Sequence, residues 1–137
     1  MTRLLLPVML SACGVFELRV AVEVPAATLA AWDPSYPLAI TTSRRGEVLV
    51  RSVVCVPEGD LVVSHVWRQR GGCAVPDALL VRVEEAELAD GLGCDANSAV
   101  AAVTPLEPPL ELYWERGPTD DCFGDGDVVA AEITVTP

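Results

Sequence analysis

The strict alternation of apolar and polar residues in short segments is the feature that most constrains the fold of this chain. In residues 16–24 every second side chain, from Phe16 to Val24, is apolar, and most of the residues between them are charged. A period of two is typical of a β-strand that packs one face on a core. Residues 128–136 repeat the pattern, and their predicted inward side chains are Val129, Ala131, Ile133 and Val135.

Further strands are predicted between these two, separated by turns rich in proline and glycine. Residues 47–56 are apolar on both faces, which favours a central, buried position in a sheet. Residues 61–68 are expected to return as their partner strand. The other candidates are residues 38–43, 79–88, 99–104 and 110–115.

Two segments of the chain are compatible with a helix. Pro25 suits the first position of a helical turn, and the end of the segment 79–88, from Glu84 to Leu88, is compatible with either a strand or a helix. The remaining pattern predicts an all-β chain with roughly seven to eight short strands in a single β-sandwich, of the immunoglobulin-like or transthyretin-like kind.

The N-terminus has a different character. Residues 1–12, MTRLLLPVMLSA, carry one arginine, an apolar run from Leu4 to Leu10 and small residues directly before Cys13. This order is typical of a secretory signal. The apolar run is far shorter than the ~20 residues of a membrane-spanning helix.

The tetrad Leu10-Ser11-Ala12-Cys13 resembles the lipobox of bacterial lipoproteins at each position. The resemblance implies removal of residues 1–12 as a lipoprotein signal peptide, acylation of Cys13, and a β-sandwich domain of residues 13–137 that is exported and lipid-anchored to the cell envelope. Gly14 stands where an aspartate would favour the inner membrane, so the outer membrane is expected. The first strand begins three residues after Cys13, which leaves almost no tether.

Assigning Cys13 to lipid leaves an even set of cysteines in an exported domain, where disulfides form and persist. Two bridges are therefore expected among Cys55, Cys73, Cys94 and Cys122. If each strand crosses the domain once, Cys55 and Cys94 lie at the same end. The same count places Cys122 at the wrong end for Cys73, so the pairing stays open.

The charge balance limits the kinds of partner that this chain can bind. The chain has 20 acidic residues against 9 arginines and no lysine, and a formal net charge of −11. A nucleic acid is excluded as a partner because phosphate binding needs a basic stripe. The expected partners are the membrane, through the N-terminal lipid, and a protein of the envelope.

The segment 120–127, DDCFGDGD, is the most acidic loop of the chain. Ca²⁺ takes about six to eight oxygen ligands, and glycine-bent loops can supply them. The candidate ligands of a non-helical calcium loop are Asp120, Asp121, Asp125 and Asp127. The alternative is an acidic turn that leads into the last strand.

Catalytic patterns are weak in this chain. His65 is its single histidine, and the neighbouring Ser64 points to the opposite face of a strand, so the two cannot form a nucleophile–base pair. His65 shares its face with Leu61, Val63 and Trp67, which predicts a packed imidazole. We therefore expect a non-catalytic binding or structural role without a cofactor. The alternatives are a calcium-stabilised adhesion or recognition module and an enzyme that uses dispersed carboxylates.

Overall fold

The described part of the chain folds mainly into strands. A computed structural model describes residues 14–30, 32–33, 36–73, 77–89, 94, 99–116 and 122–137. The strands in these ranges are β1 (Val15–Val24), β2 (Leu38–Arg44), β3 (Glu47–Val54), β4 (Leu61–Arg70), β5 (Gly72–Cys73), β6 (Asp77–Leu88), β7 (Val100–Arg116), β8 (Cys122–Phe123) and β9 (Val128–Thr134). The prediction of an all-β fold is confirmed, and the helical turn after Pro25 is present as α1 (Ala26–Leu29).

Seven of these strands form two sheets that share one core. A three-stranded sheet has the order β4-β1-β9, and a four-stranded sheet has the order β3-β2-β6-β7. Strands β5 and β8 form a separate short ribbon. Neighbours are antiparallel except for β1 and β9, which run parallel. Within the described ranges, no helix is long and apolar enough to cross a membrane.

The alternating residues supply the core, as predicted. All five apolar side chains from Phe16 to Val24 are at most 3% exposed, and Ile133 of β9 is 2% exposed. Full burial of such a side chain stabilises the fold by about 1.5–3 kcal/mol. The facing sheet contributes mainly β2 and β6, with Leu38, Ile40, Leu79, Val81 and Val83.

Two predictions about β3 and β4 are wrong. Among the described strands, β3 lies at the edge of the four-stranded sheet and pairs only with β2, while β4 belongs to the other sheet and pairs with β1. The turn at residues 57–60 therefore carries the chain from one sheet to the other. Apolar residues on both faces are also compatible with an edge strand. Leu49 packs against the core, whereas Val48 is 48% exposed and lines a groove on the outer face.

Strands β6 and β7 form a longer pair than the pattern predicts. The end of β6, from Glu84 to Leu88, is strand throughout and not helix. The two candidates 99–104 and 110–115 are the two ends of the single strand β7, and both pair with β6. The register shifts between Val83 and Glu84, which leaves residues 106–109 of β7 outside the ladder. The prolines of this segment interrupt the pairing without ending the strand.

Candidate functional site

His65 is a buried link between the two sheets. Its side chain is 0% exposed. Its Nδ1 lies 2.7 Å from Oγ1 of Thr42 on β2, and its Nε2 lies 2.8 Å from Oγ of Ser52 on β3. A neutral imidazole has one donor and one acceptor nitrogen, so both contacts can be satisfied by the two hydroxyl groups. Burial lowers the pKa of His65 and so favours this neutral form.

This environment agrees with the predicted packed imidazole. Ser64 is exposed on the opposite face of β4 and cannot reach the ring. Ser52 does reach it, but the imidazole itself has no accessible surface. A general base must lie within hydrogen-bond reach of the proton that it abstracts. The Ser52–His65–Thr42 contact is therefore a structural element of the core.

The described carboxylates of the acidic loop are engaged with the main chain. Oδ1 of Asp125 accepts a hydrogen bond of 2.8 Å from the N–H of Val15, and Oδ2 of Asp127 accepts one of 2.8 Å from the N–H of Gly124. Asp120 and Asp121 lie outside the described residues. Within the described ranges, no group of three or more His, Cys, Asp or Glu side chains could hold a metal ion. The calcium loop stays a prediction.

Asp125 also belongs to a tight corner at the start of the fold, which we call the N-terminal corner: Gly14, Val15, Gly71 and Asp125. Gly14 has a φ of +40°, and a Cβ atom there would lie closer than 3.0 Å to Asp125. Its carbonyl oxygen accepts a hydrogen bond of 3.0 Å from the N–H of Gly71. Strand β1 begins at Val15, so the fold starts immediately after Cys13, which itself lies outside the described residues.

One of the two expected disulfides is present in the described residues. Cys55 and Cys94 are bonded, with a Cα–Cα distance of 5.7 Å, in agreement with their placement at one end of the domain. Cys122 is also disulfide-bonded. Its backbone lies directly opposite that of Cys73 in the β5–β8 ribbon. The prediction placed Cys122 at the wrong end of the domain because it counted the two ends of β7 as two separate strands.

The outer face of the four-stranded sheet carries a groove that the sequence pattern did not predict. A groove of about 330 Å³, which we call the arginine groove, is lined by Arg45, Arg51, Arg82, Glu84 and Tyr113 together with small and apolar residues. Pockets that bind small ligands begin at about this size. The groove therefore gathers three of the chain's 9 arginines on one surface.

Local structure places each arginine. Arg45 and Gly46 form the turn between β2 and β3, with φ values of 52° and 80°, which are the positive angles of a tight hairpin turn. Nε of Arg51 donates to Oγ1 of Thr41 at 3.0 Å. Nε of Arg82 donates to Oε2 of Glu111 at 3.0 Å. These bonds orient two guanidinium groups and do not use their terminal nitrogens.

Two further side chains give the arginine groove its character. Glu84 is only 7% exposed, yet it lines both the groove and an adjoining cavity of about 290 Å³. Among the described residues, the side chain of Glu84 forms no hydrogen bond or ion pair, and Arg45 and Arg51 form no ion pair. Tyr113 is 63% exposed. The groove thus combines cations, an unpaired carboxylate and an open aromatic ring.

The sequence contains only part of the signal for this groove. Arg82 and Glu84 alternate with the buried Val81 and Val83, so their outward direction can be read from the pattern. Their convergence with Arg51 depends on the order of the strands across the sheet. In comparisons with known protein families, curated proteins and solved structures, this chain has no match.

Proposed function

We propose that this chain is a lipid-anchored protein of the bacterial cell envelope whose sandwich domain acts by binding and not by catalysis. The N-terminal corner is the observation that carries the proposal. The lipobox-like tetrad ends at Cys13, and Gly14 is already hydrogen-bonded into the fold. A lipid on Cys13 would hold the domain directly against the bilayer, because Gly14 alone separates Cys13 from β1. Strand β1 is the central strand of its sheet.

The arginine groove and the buried histidine support the binding role. Ligand sites are concave and combine apolar walls with a few polar groups, and the groove has this composition. The chain's one histidine is enclosed in the core and has no access to a substrate. A binding module needs a groove of this kind and does not need a reactive imidazole.

Two finer structural proposals accompany this function. The sandwich is of the immunoglobulin-like or transthyretin-like kind, which is supported by its sheets of four and three strands. The partner of Cys122 is Cys73, because the two residues face each other across the β5–β8 ribbon. Facing residues of antiparallel strands have Cα atoms about 4.5–5.5 Å apart, which lies within the range of disulfides.

A variant of Cys13 tests the anchor. The full-length chain is expressed in a bacterium that processes lipoproteins, with a labelled fatty acid in the medium. The parent should lose residues 1–12, incorporate the label and sediment with the membranes, and density separation should place it in the outer membrane. Cys13→Ala should remain unlabelled and leave the membrane fraction. Ser64→Ala, on the exposed face of β4, is the matched control and should behave like the parent.

The lipid anchor is contradicted if the parent carries no label. It is also contradicted if Cys13→Ala stays membrane-bound and unprocessed in the same way as the parent.

A further inference from the structure

The arginine groove is locally cationic on a strongly anionic protein. The chain has a formal net charge of −11, yet three arginines line this one groove, and Glu84 is the only acidic residue among its lining residues. Arginine binds carboxylates through two parallel hydrogen bonds. Arg51 has the geometry for this, because its Nε is bonded to Thr41 and its terminal nitrogens form no ion pair with the described residues.

Glu84 sets a second requirement on the ligand. Glu84 is only 7% exposed, and its carboxylate accepts no hydrogen bond from the described residues. The carboxylate lines the groove and the adjoining cavity, so a ligand that brings donors can form charge-assisted hydrogen bonds with it there. A ligand that consists only of anionic acceptors would instead be repelled by this carboxylate.

Tyr113 sets a third requirement. Tyr113 is 63% exposed near the C-terminal end of β7 and lines the same groove. An exposed aromatic ring offers a flat apolar face beside its polar hydroxyl. The ligand should therefore present an apolar face as well as a carboxylate and a donor.

We propose that the arginine groove binds a saccharide that carries carboxylate groups, a proposal that rests on the binding role above and names its ligand class. A carboxylate of the saccharide pairs with Arg51 and Arg82, and sugar hydroxyl groups donate hydrogen bonds to Glu84. The C–H face of the sugar ring packs on Tyr113. The adjoining cavity shares Arg82 and Glu84 with the groove. The bound saccharide therefore extends over more than one sugar ring.

Other acidic ligands fit less well. Densely charged polymers are opposed by the net charge of the chain and by Glu84. An extended peptide binds a sheet through unpaired main-chain groups at its edge, whereas the floor of the groove is formed by β2 and β6, each of which is paired on both sides. The recognition must come from side chains, which favours a ligand rich in hydroxyl groups.

Calorimetric titration of the full-length chain in detergent micelles tests this proposal. The probe is trigalacturonic acid, and the comparison ligands are its methyl ester, triglutamate and inorganic phosphate. Trigalacturonic acid should bind, and the ester should bind at least about tenfold more weakly, since hydrogen bonds to charged groups are strong. Triglutamate and phosphate should also bind at least about tenfold more weakly, because neither offers a sugar face or hydroxyl donors.

Matched variants locate the site. Arg51→Gln and Arg82→Gln should each weaken binding of trigalacturonic acid about tenfold, whereas Arg68→Gln, on the exposed face of the other sheet, should not. Tyr113→Ala should weaken binding, and Tyr36→Ala, which is also exposed, should not. Thermal melts of every variant establish that the fold is retained.

Three results would overturn the saccharide proposal: no binding of trigalacturonic acid at millimolar concentration, equal affinity for triglutamate or phosphate, or equal effects of Arg51→Gln and Arg68→Gln. None of these affects the lipid anchor, because acyl labelling of Cys13 does not depend on the groove. Loss of labelling in the parent would instead contradict the anchor and leave the titration result standing.

Discussion

Nε2 of His65 on β4 lies 2.8 Å from Oγ of Ser52 on β3, so a hydrogen bond joins the two sheets through the core. The other ring nitrogen contacts Thr42 on β2. Both hydroxyl-bearing residues belong to the four-stranded sheet, whereas His65 belongs to the three-stranded sheet. The ring therefore joins two hydroxyl groups of the opposite layer within a core whose described buried side chains are mostly apolar.

The first prediction is that stability falls at mildly acidic pH because of His65. Its pKa is lowered by burial below the ordinary value of 6.5, while the unfolded chain regains the ordinary value. Below pH 6.5 the unfolded state binds more protons, so the free energy of unfolding decreases as the pH falls toward the folded pKa. The slope is at most about 1.4 kcal/mol per pH unit. Urea unfolding between pH 7.5 and pH 5 measures it.

Two variants separate titration from hydrogen bonding. His65→Gln keeps a donor and an acceptor but does not titrate, so the part of the slope that His65 contributes should disappear. Ser52→Ala should lower stability by about 1 kcal/mol at pH 7.5 and keep the slope. If the parent and His65→Gln show the same slope, the assignment to His65 is wrong.

The second prediction concerns Gly14. Its φ of +40° disfavours any residue with a side chain, and its Cβ would collide with Asp125. Gly14→Ala should therefore reduce the free energy of unfolding by about 1–3 kcal/mol. Gly59→Ala is the matched control, because a Cβ at Gly59 meets nothing within 4 Å. Chemical denaturation compares the two, and equal stability would show that the N-terminal corner is not tight in solution.

Alternation in the sequence was sufficient to predict the individual strands of the three-stranded sheet. In β1 and β9 the inward residues are apolar and the outward residues are mostly polar or small, so one face had to be buried. The environment of His65 followed from the same reasoning, because its neighbours at every second position are Val63 and Trp67. These inferences need only the period of a strand and the hydrophobic effect.

Strand order could not be obtained in this way. The residues of β3 fit an edge strand as well as a central one, and only the pairing with β2 decides between them. The shift between Val83 and Glu84 carries β7 past its prolines as one strand, and no local propensity shows this. The arginine groove depends on both features, since Arg51 lies on β3 and Tyr113 on β7. A surface built from several strands is therefore less predictable than a buried face within one.

The third prediction concerns the disulfides. Cys55 and Cys94 are 39 residues apart, and closing a loop of that length in the unfolded chain stabilises the fold by about 4 kcal/mol. The double variant Cys55→Ser/Cys94→Ser should lose most of that amount in chemical denaturation. Peptide mapping of the oxidised parent should also recover Cys73 linked to Cys122. A free thiol at Cys122 in the oxidised parent would contradict the proposed second bridge.

The last prediction separates a structural role of Asp125 from a calcium-binding role. Oδ1 of Asp125 accepts a hydrogen bond from the N–H of Val15, so Asp125→Ala removes a main-chain partner at the N-terminal corner. We expect its melting temperature to fall below that of the parent by the same amount in millimolar calcium and in chelator. Asp60→Ala is the control, because Asp60 makes a similar bond, to the N–H of Ala26, away from the acidic loop. A ligand that binds only the folded state raises its melting temperature. If calcium stabilises the parent and Asp60→Ala but not Asp125→Ala, Asp125 is a calcium ligand and its main-chain bond is secondary.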